Sequence, residues 1–228
     1  MKDIEIILKE RANRQVRNKW AWDAYYKKVQ RADKLFEGIK KHIQSRHCLQ
    51  EAKKQYVTAH VTAFEVYFKD SLLEFLDLLG TEKISKLVDS RFSVSELRRI
   101  IEHKITFAEV LASHFNFQDL NRINKIFSEL FGVNYFEVLK KRKFHVDPKV
   151  PDFSLSKNFF KKIDSLIEMR HEFVHDINFK KNIGFRELND FIWEMSFFIL
   201  ASDIYFFEQK EKNAKKQKAV VSKTVGTA

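Results

Sequence analysis

Residues 169–176 read MRHEFVHD, and four of them, Arg170, His171, Glu172 and His175, are side chains that move protons, hold metals or bind anions. Two chemistries share this stretch. His171-Glu172-Phe173-Val174-His175 matches H-E-x-x-H, in which two imidazoles one helical turn apart bind zinc while the Glu activates a zinc-bound water. Glu194, with 18 residues between it and His175, offers a third ligand, and the product is a metallopeptidase. Three features oppose that reading. Arg170 and Asp176 flank the motif with charge, and no upstream strand is legible that could bind an extended peptide by edge pairing. Glu194 also lies inside the apolar run IWEMSFFIL, where a carboxylate on a bundle helix is equally a paired or solvated group.

The second motif is Arg-x4-His, formed by Arg170 and His175 with a polar residue directly after the Arg. Two further segments accompany it: TAFEVYFKDSLLEFL at 62–76, a long helix with an acidic residue amid aromatics, and NFFKKIDSLIEMRHEFVHD at 158–176, the helix that carries the motif. Another apolar helix follows. In these segments and their order the chain resembles the HEPN superfamily of all-α domains, most of all its RiboL-PSP-HEPN and related toxin-like branches. The resemblance spans about 49–207, although residues 81–150 have no counterpart in it. It implies RNA cleavage without a metal or other cofactor, with Arg170 and His175 catalytic, in a two-fold dimer that joins two Arg-His pairs in one cleft. It also implies a toxin–antitoxin or phage-defence setting, with RNA as substrate and an antitoxin protein as a possible partner.

The residue types suit that reaction. Attack of the RNA 2′-OH on the adjacent phosphate needs a group that titrates near neutrality, which His supplies, and a donor for the charge that builds on the phosphate oxygens. Arg170 brings a planar, permanently charged fork. Five residues on an ideal helix turn through about 500°, so Arg170 and His175 point about 140° apart. They converge only where the helix ends or bends near Val174, or where a second chain contributes. His171 could line the site or orient His175, and Glu65 could orient Arg170 from the facing helix. The alternatives are structural: Glu65 as a surface or capping residue, His171 solvated, Arg170 and His175 as an ion-pair or capping pair. Lys140, Lys141, Arg142 and Lys143 form a basic run that could touch RNA phosphate, or simply complement a helix C-terminus.

The elements that must position these groups read as helices. Residues 3–46 read as one long polar helix and 49–79 as a second, with apolar spacings of three and four and Gly80 as its C-terminal cap. Ser93 with Glu96 opens a helix to about 113. Gly132 closes the next one, and Asn134 with Glu137 opens a short one. The prolines, Pro148 and Pro151, mark the loop FHVDPKVPDFS; Ser154 or Ser156 then caps the motif helix, which runs to about 174. Asp176 to Gly184 reads as a turn, and the last helix runs from Phe185 to about 210. No strand is expected.

Composition sets the class. Five Gly and two Pro stand where average usage gives about 16 and about 11, which disfavours turn-dense β architectures and leaves no glycine-rich phosphate loop. The expected fold is an all-α, HEPN-like bundle of long antiparallel helices with extra short ones. Its charge is uneven: residues 1–46 carry 13 basic and 6 acidic groups, 208–228 carry 6 and 2, and 47–207 carry 23 of each. The expected organisation is therefore a basic N-terminal helix over 1–46, a neutral domain over 47–207, and a Lys-rich flexible tail over 208–228. Single Cys48, the absence of a signal-peptide pattern and the lack of a spanning apolar run point to a soluble cytoplasmic protein without membrane contact.

Overall fold

Apolar spacing of three and four residues, uninterrupted by Gly or Pro, forces long helices, and the most apolar of them must lie innermost. In the computed structural model, residues 4–17, 21–85, 87, 92–145, 149, 151–175 and 184–225 are described, excluding the side chains of 15–17, 175 and 216–225. Ten helices occupy the described residues: α1 Ile4–Arg17, α2 Ala21–His42, α3 Arg46–Leu79, α4 Glu82–Ser85, α5 Val94–Glu102, α6 Phe107–Ser113, α7 Leu120–Phe131, α8 Tyr135–Lys140, α9 Phe159–His175 and α10 Phe185–Val225. The fold is all-α. Among the described residues no helix is long and apolar enough to cross a membrane.

Helix α3 is the axis. Val57, Val61, Phe64, Phe68, Leu72 and Phe75 are all fully buried, and α2, α6, α9 and α10 pack around them. α2 runs antiparallel to it: Ala21 meets Glu74, Tyr25 meets Tyr67 and Phe36 stacks on Tyr56 at 4.2 Å. α10 runs parallel to it, with Phe64 on Phe198, Tyr67 on Asp203 and Lys210 paired with Glu74. Phe68, Phe127, Phe198 and Phe206 form the centre of an aromatic core in which edge-on and tilted rings lie 4.7–6.4 Å apart. Much of the phenylalanine content thus fills the bundle, each buried ring contributing about 1.5–3 kcal/mol.

Local chemistry sets several helix ends where the sequence places them. Gly80 and Gly132 take positive φ and close α3 and α7, Ser93 and Glu96 form a reciprocal capping box on α5, and Asn134 caps α8. Gly132 has φ 72°, and a Cβ there meets nothing within 4 Å, so a side chain costs backbone strain alone. Gly132→Ala is therefore expected to lower stability by about 1 kcal/mol, a fall of about 2–4 °C in melting midpoint, with Gly132→Asn losing less.

Other boundaries differ from the sequence expectation. Within residues 3–46, those at 4–17 form α1 and those at 21–42 form α2, with 18–20 outside the described residues; 43–45 are not helical, and Arg46 opens α3. α1 buries Ile4 and Ile7 against Ile105 and Val110, whereas α2 buries Tyr25, Val29 and Phe36 against the main core. Residues 93–113 also form two helices, since Thr106 and Glu109 make a second capping box that restarts the chain as α6. α10 continues past 210 to Val225. Its Lys, Ala and Gln there are good helix formers, and no Gly or Pro precedes Gly226. Ser154 and Ser156 do not cap the motif helix: Asn158 carbonyl accepts from Lys162 N–H in the first turn, and the Ser156 hydroxyl has no partner. The proline loop is closed at its base by an antiparallel bridge in which Phe144 and Phe153 exchange backbone hydrogen bonds of 2.8 and 3.0 Å. The turn expected over 176–184 lies, except for Gly184, outside the described residues.

A group of polar contacts docks the basic N-terminal helix. Arg11 Nε donates to Glu109 Oε1 at 2.8 Å, and its other nitrogens donate to the carbonyls of His103 and Lys104, which end α5. Arg14 donates to the same carboxylate at 2.7 Å, and Lys69 on α3 pairs with Glu10. Burial pushes the Glu109 carboxyl up, but hydrogen bonds from Arg11 and the Thr106 N–H, with the charges of Arg11 and Arg14, outweigh it and bring it down to about 2.

Candidate functional site

The buried residues of α9 are Phe159, Ile163, Leu166, Ile167 and Met169, and half-buried Arg170 follows on the same side of the helix. A guanidinium at a core-facing position must find polar partners, because its donors are partly cut off from water. It finds one. Arg170 Nη1 donates to Gln118 Oε1 at 3.3 Å, and Gln118 Nε2 donates to Glu65 Oε2 at 2.7 Å. Arg170 Nε is buried without a hydrogen-bond partner. Glu65 on the facing helix α3 thus reaches Arg170 through Gln118.

Gln118 sits in the short connection between α6 and α7, pinned on both sides. Phe115 and Phe117 are buried before it and Leu120 after it. Its own N–H donates to Asn116 Oδ1 at 3.0 Å, and Asp119 Oδ1 caps α7 by accepting from Asn121 and Arg122.

The motif helix is continuous through His175. The backbone positions of Arg170 and His175 on it lie about 140° apart around the axis and about 7.5 Å apart along it. The His175 side chain lies outside the described residues. His171 and Glu172 are exposed, and Val174 beside them is 52% exposed, a large apolar group on the surface at the motif end.

Burial raises the Asp164 carboxyl, and the charges of Glu168 and Asp119 raise it further. The basic run is elsewhere. Lys140 pairs with Glu137 at 3.1 Å and lies 4.8 Å over the Phe160 ring, Lys141 reaches the same Glu137 at 3.9 Å, and Arg142 pairs with Glu208. Phe160 is in the first turn of α9, about 15 Å along the axis from Arg170, so the structure does not join Lys140 to Lys143 with the motif.

Glu194 is tied to the other half of the same helix. Its carboxylate accepts from Lys162 Nζ at 3.0 Å, and Lys162 also pairs with Asp190 at 2.8 Å. Lys162 precedes His171 by nine residues, about 13 Å of helix, which sets the third zinc ligand of the H-E-x-x-H reading well away from its first. Among the described residues, no three His, Cys, Asp or Glu side chains are grouped so as to hold a metal ion.

Two polar groupings were not legible in the sequence. One is the Glu65–Gln118–Arg170 chain. The other joins α2 to α3: Tyr56 hydroxyl donates to Asp33 Oδ1 at 2.7 Å, fully buried His60 holds the same oxygen at 3.2 Å through Nε2, and His60 Nδ1 has no partner. A largely apolar groove of about 580 Å³ opens beside it, lined by Leu35, Phe36, Ile39, Ile43, Ala52 and Tyr56 among others. Glu65, Gln118 and Arg170 do not line it. Compared with protein-family models, curated proteins and solved structures, the chain matches none.

Proposed function

We propose that this chain is a metal-independent endoribonuclease of HEPN type, acting in the cytoplasm as a homodimer in a toxin–antitoxin or phage-defence system. The observation that carries it is Arg170, a guanidinium on the core-facing side of α9 held by a neutral amide, so that its full charge remains for an anion. His175 ends the same helix. In the proposed reaction the RNA 2′-oxygen forms a bond to phosphorus, the bond from phosphorus to the 5′-oxygen breaks, a base takes the 2′-OH proton and an acid protonates the leaving oxygen. The products are a 2′,3′-cyclic phosphate and a 5′-hydroxyl. Two His175 side chains in one cleft supply both proton transfers, and the two Arg170 forks face the phosphate.

The helix is continuous from Arg170 to His175, and their backbone positions, about 140° apart around its axis, favour a site shared between copies. Purified protein is expected to cut RNA in excess EDTA. Arg170→Ala and His175→Ala chains, each inactive alone, should recover activity, below half of the wild-type rate, after subunit exchange at equal amounts, since half of randomly formed dimers are mixed and only these place an Arg170 with a His175 in the shared cleft. No recovery places Arg and His of each site in one chain. Salt-sensitive RNA binding with no cleavage replaces the nuclease by a binding module.

A further inference from the structure

The nuclease reading leaves unassigned the side chain that touches Arg170. The amide of Gln118 is oriented by two partners of opposite character. Arg170 only donates, so the Gln118 oxygen faces it at 3.3 Å; the Glu65 carboxylate accepts, so the Gln118 nitrogen faces it at 2.7 Å. Turning the amide over sets its N–H groups against a guanidinium and its oxygen against a carboxylate, which loses both contacts and makes two repulsive ones. Buried Phe115 and Phe117 and the Asn116 and Asp119 turn contacts hold the backbone beneath it.

Resting on the nuclease reading, we infer that Gln118 is the positioning residue for Arg170 and that Glu65 acts on Arg170 only through it. A direct Glu65–Arg170 ion pair fixes the guanidinium equally well but spends its charge on a protein carboxylate. An amide between them transmits the orientation and leaves the positive charge for a phosphate oxygen.

The test is a double-mutant cycle on the full-length protein, assayed by RNA cleavage in EDTA. Gln118→Leu is expected to lower kcat about 10- to 100-fold with KM changed less than about threefold, because a displaced donor loses transition-state contacts before it loses substrate. Glu65→Gln, which lets the amide turn over, lowers kcat in the wild-type background and has no further effect in Gln118→Leu. Gln118→Glu also lowers kcat, since its carboxylate neutralises the fork. A melting midpoint held within a few degrees separates positioning from unfolding. Additive effects of Glu65→Gln and Gln118→Leu, a rise in KM at constant kcat, or unchanged kcat in Gln118→Leu each overturn the assignment. A second readout needs no RNA. Phenylglyoxal modification of Arg170, followed by mass spectrometry of its peptide, should speed up several-fold in Gln118→Leu, and an unchanged rate overturns the relay. Wild-type protein that cuts no RNA removes the nuclease reading, and the modification rates then decide the relay alone.

Discussion

His175→Ala is expected to reduce EDTA-resistant RNA cleavage by about 10²- to 10⁴-fold, the usual contribution of a general acid or base, and Arg170→Ala by about 10²- to 10³-fold. Both losses fall on kcat. In the proposed reaction, proton transfer and stabilisation of the phosphorane oxygens belong to the transition state, while ground-state RNA would be held by phosphate contacts spread over more of the chain. Arg170→Lys separates charge from geometry: an ammonium keeps the charge but cannot donate in parallel from a planar fork, so activity should fall between wild type and Arg170→Ala. Cleavage rates with a defined RNA, at fixed salt and with excess EDTA, check all three. Retained cleavage in both alanine variants sinks the nuclease reading, because contaminating ribonuclease then accounts for the activity.

Glu109→Gln is expected to destabilise the protein by about 3 kcal/mol and to release α1 before the rest of the bundle unfolds. The Glu109 side chain is 8% exposed and receives Arg11 and Arg14, which are themselves only 21% and 22% exposed. An amide cannot balance two guanidinium groups. The pH dependence follows from the same contact. A Glu carboxyl that titrates near 4.5 in the unfolded chain titrates at about 2 here. With the folded value depressed, the stabilisation is fully present above about pH 5 and disappears as pH falls from about 4.5 towards 2. Urea unfolding should therefore show wild type and Glu109→Gln about 3 kcal/mol apart at pH 7 and converging near pH 2. Hydrogen exchange over residues 4–14 locates the effect, since these amides should lose protection in the variant while those of α3 keep it. Parallel stability curves down to pH 2 refute the assignment of this carboxylate.

Much of the bundle was legible because its signals are local. Gly80, Ser93 with Glu96, Gly132 and Asn134 act through hydrogen bonds to residues no more than four or five positions away, so their meaning survives without the rest of the fold. Thr106 and Glu109 were just as local and mark the end of the α5–α6 connection, but the apolar spacing across it disguised two helices as one. Which cores Ile4 of α1 and Tyr25 of α2 enter has no such local mark, and is decided by partners about 40 to 170 positions away.

The candidate site divides in the same way. Residue types and spacing by themselves determined an Arg and a His at the end of an amphipathic helix, an all-helical frame to carry them, and a charge excess held at the chain ends. Only the tertiary structure decided that Arg170 faces Gln118, that Glu65 stands behind it, and that Lys140 and Glu194 belong to other contacts. Gln118 lies 53 residues from Glu65 and 52 from Arg170, in a stretch whose composition distinguishes it in no way. Helix periodicity and capping are encoded within a few residues, whereas a hydrogen bond between side chains on three separate elements exists only once packing has brought those elements together.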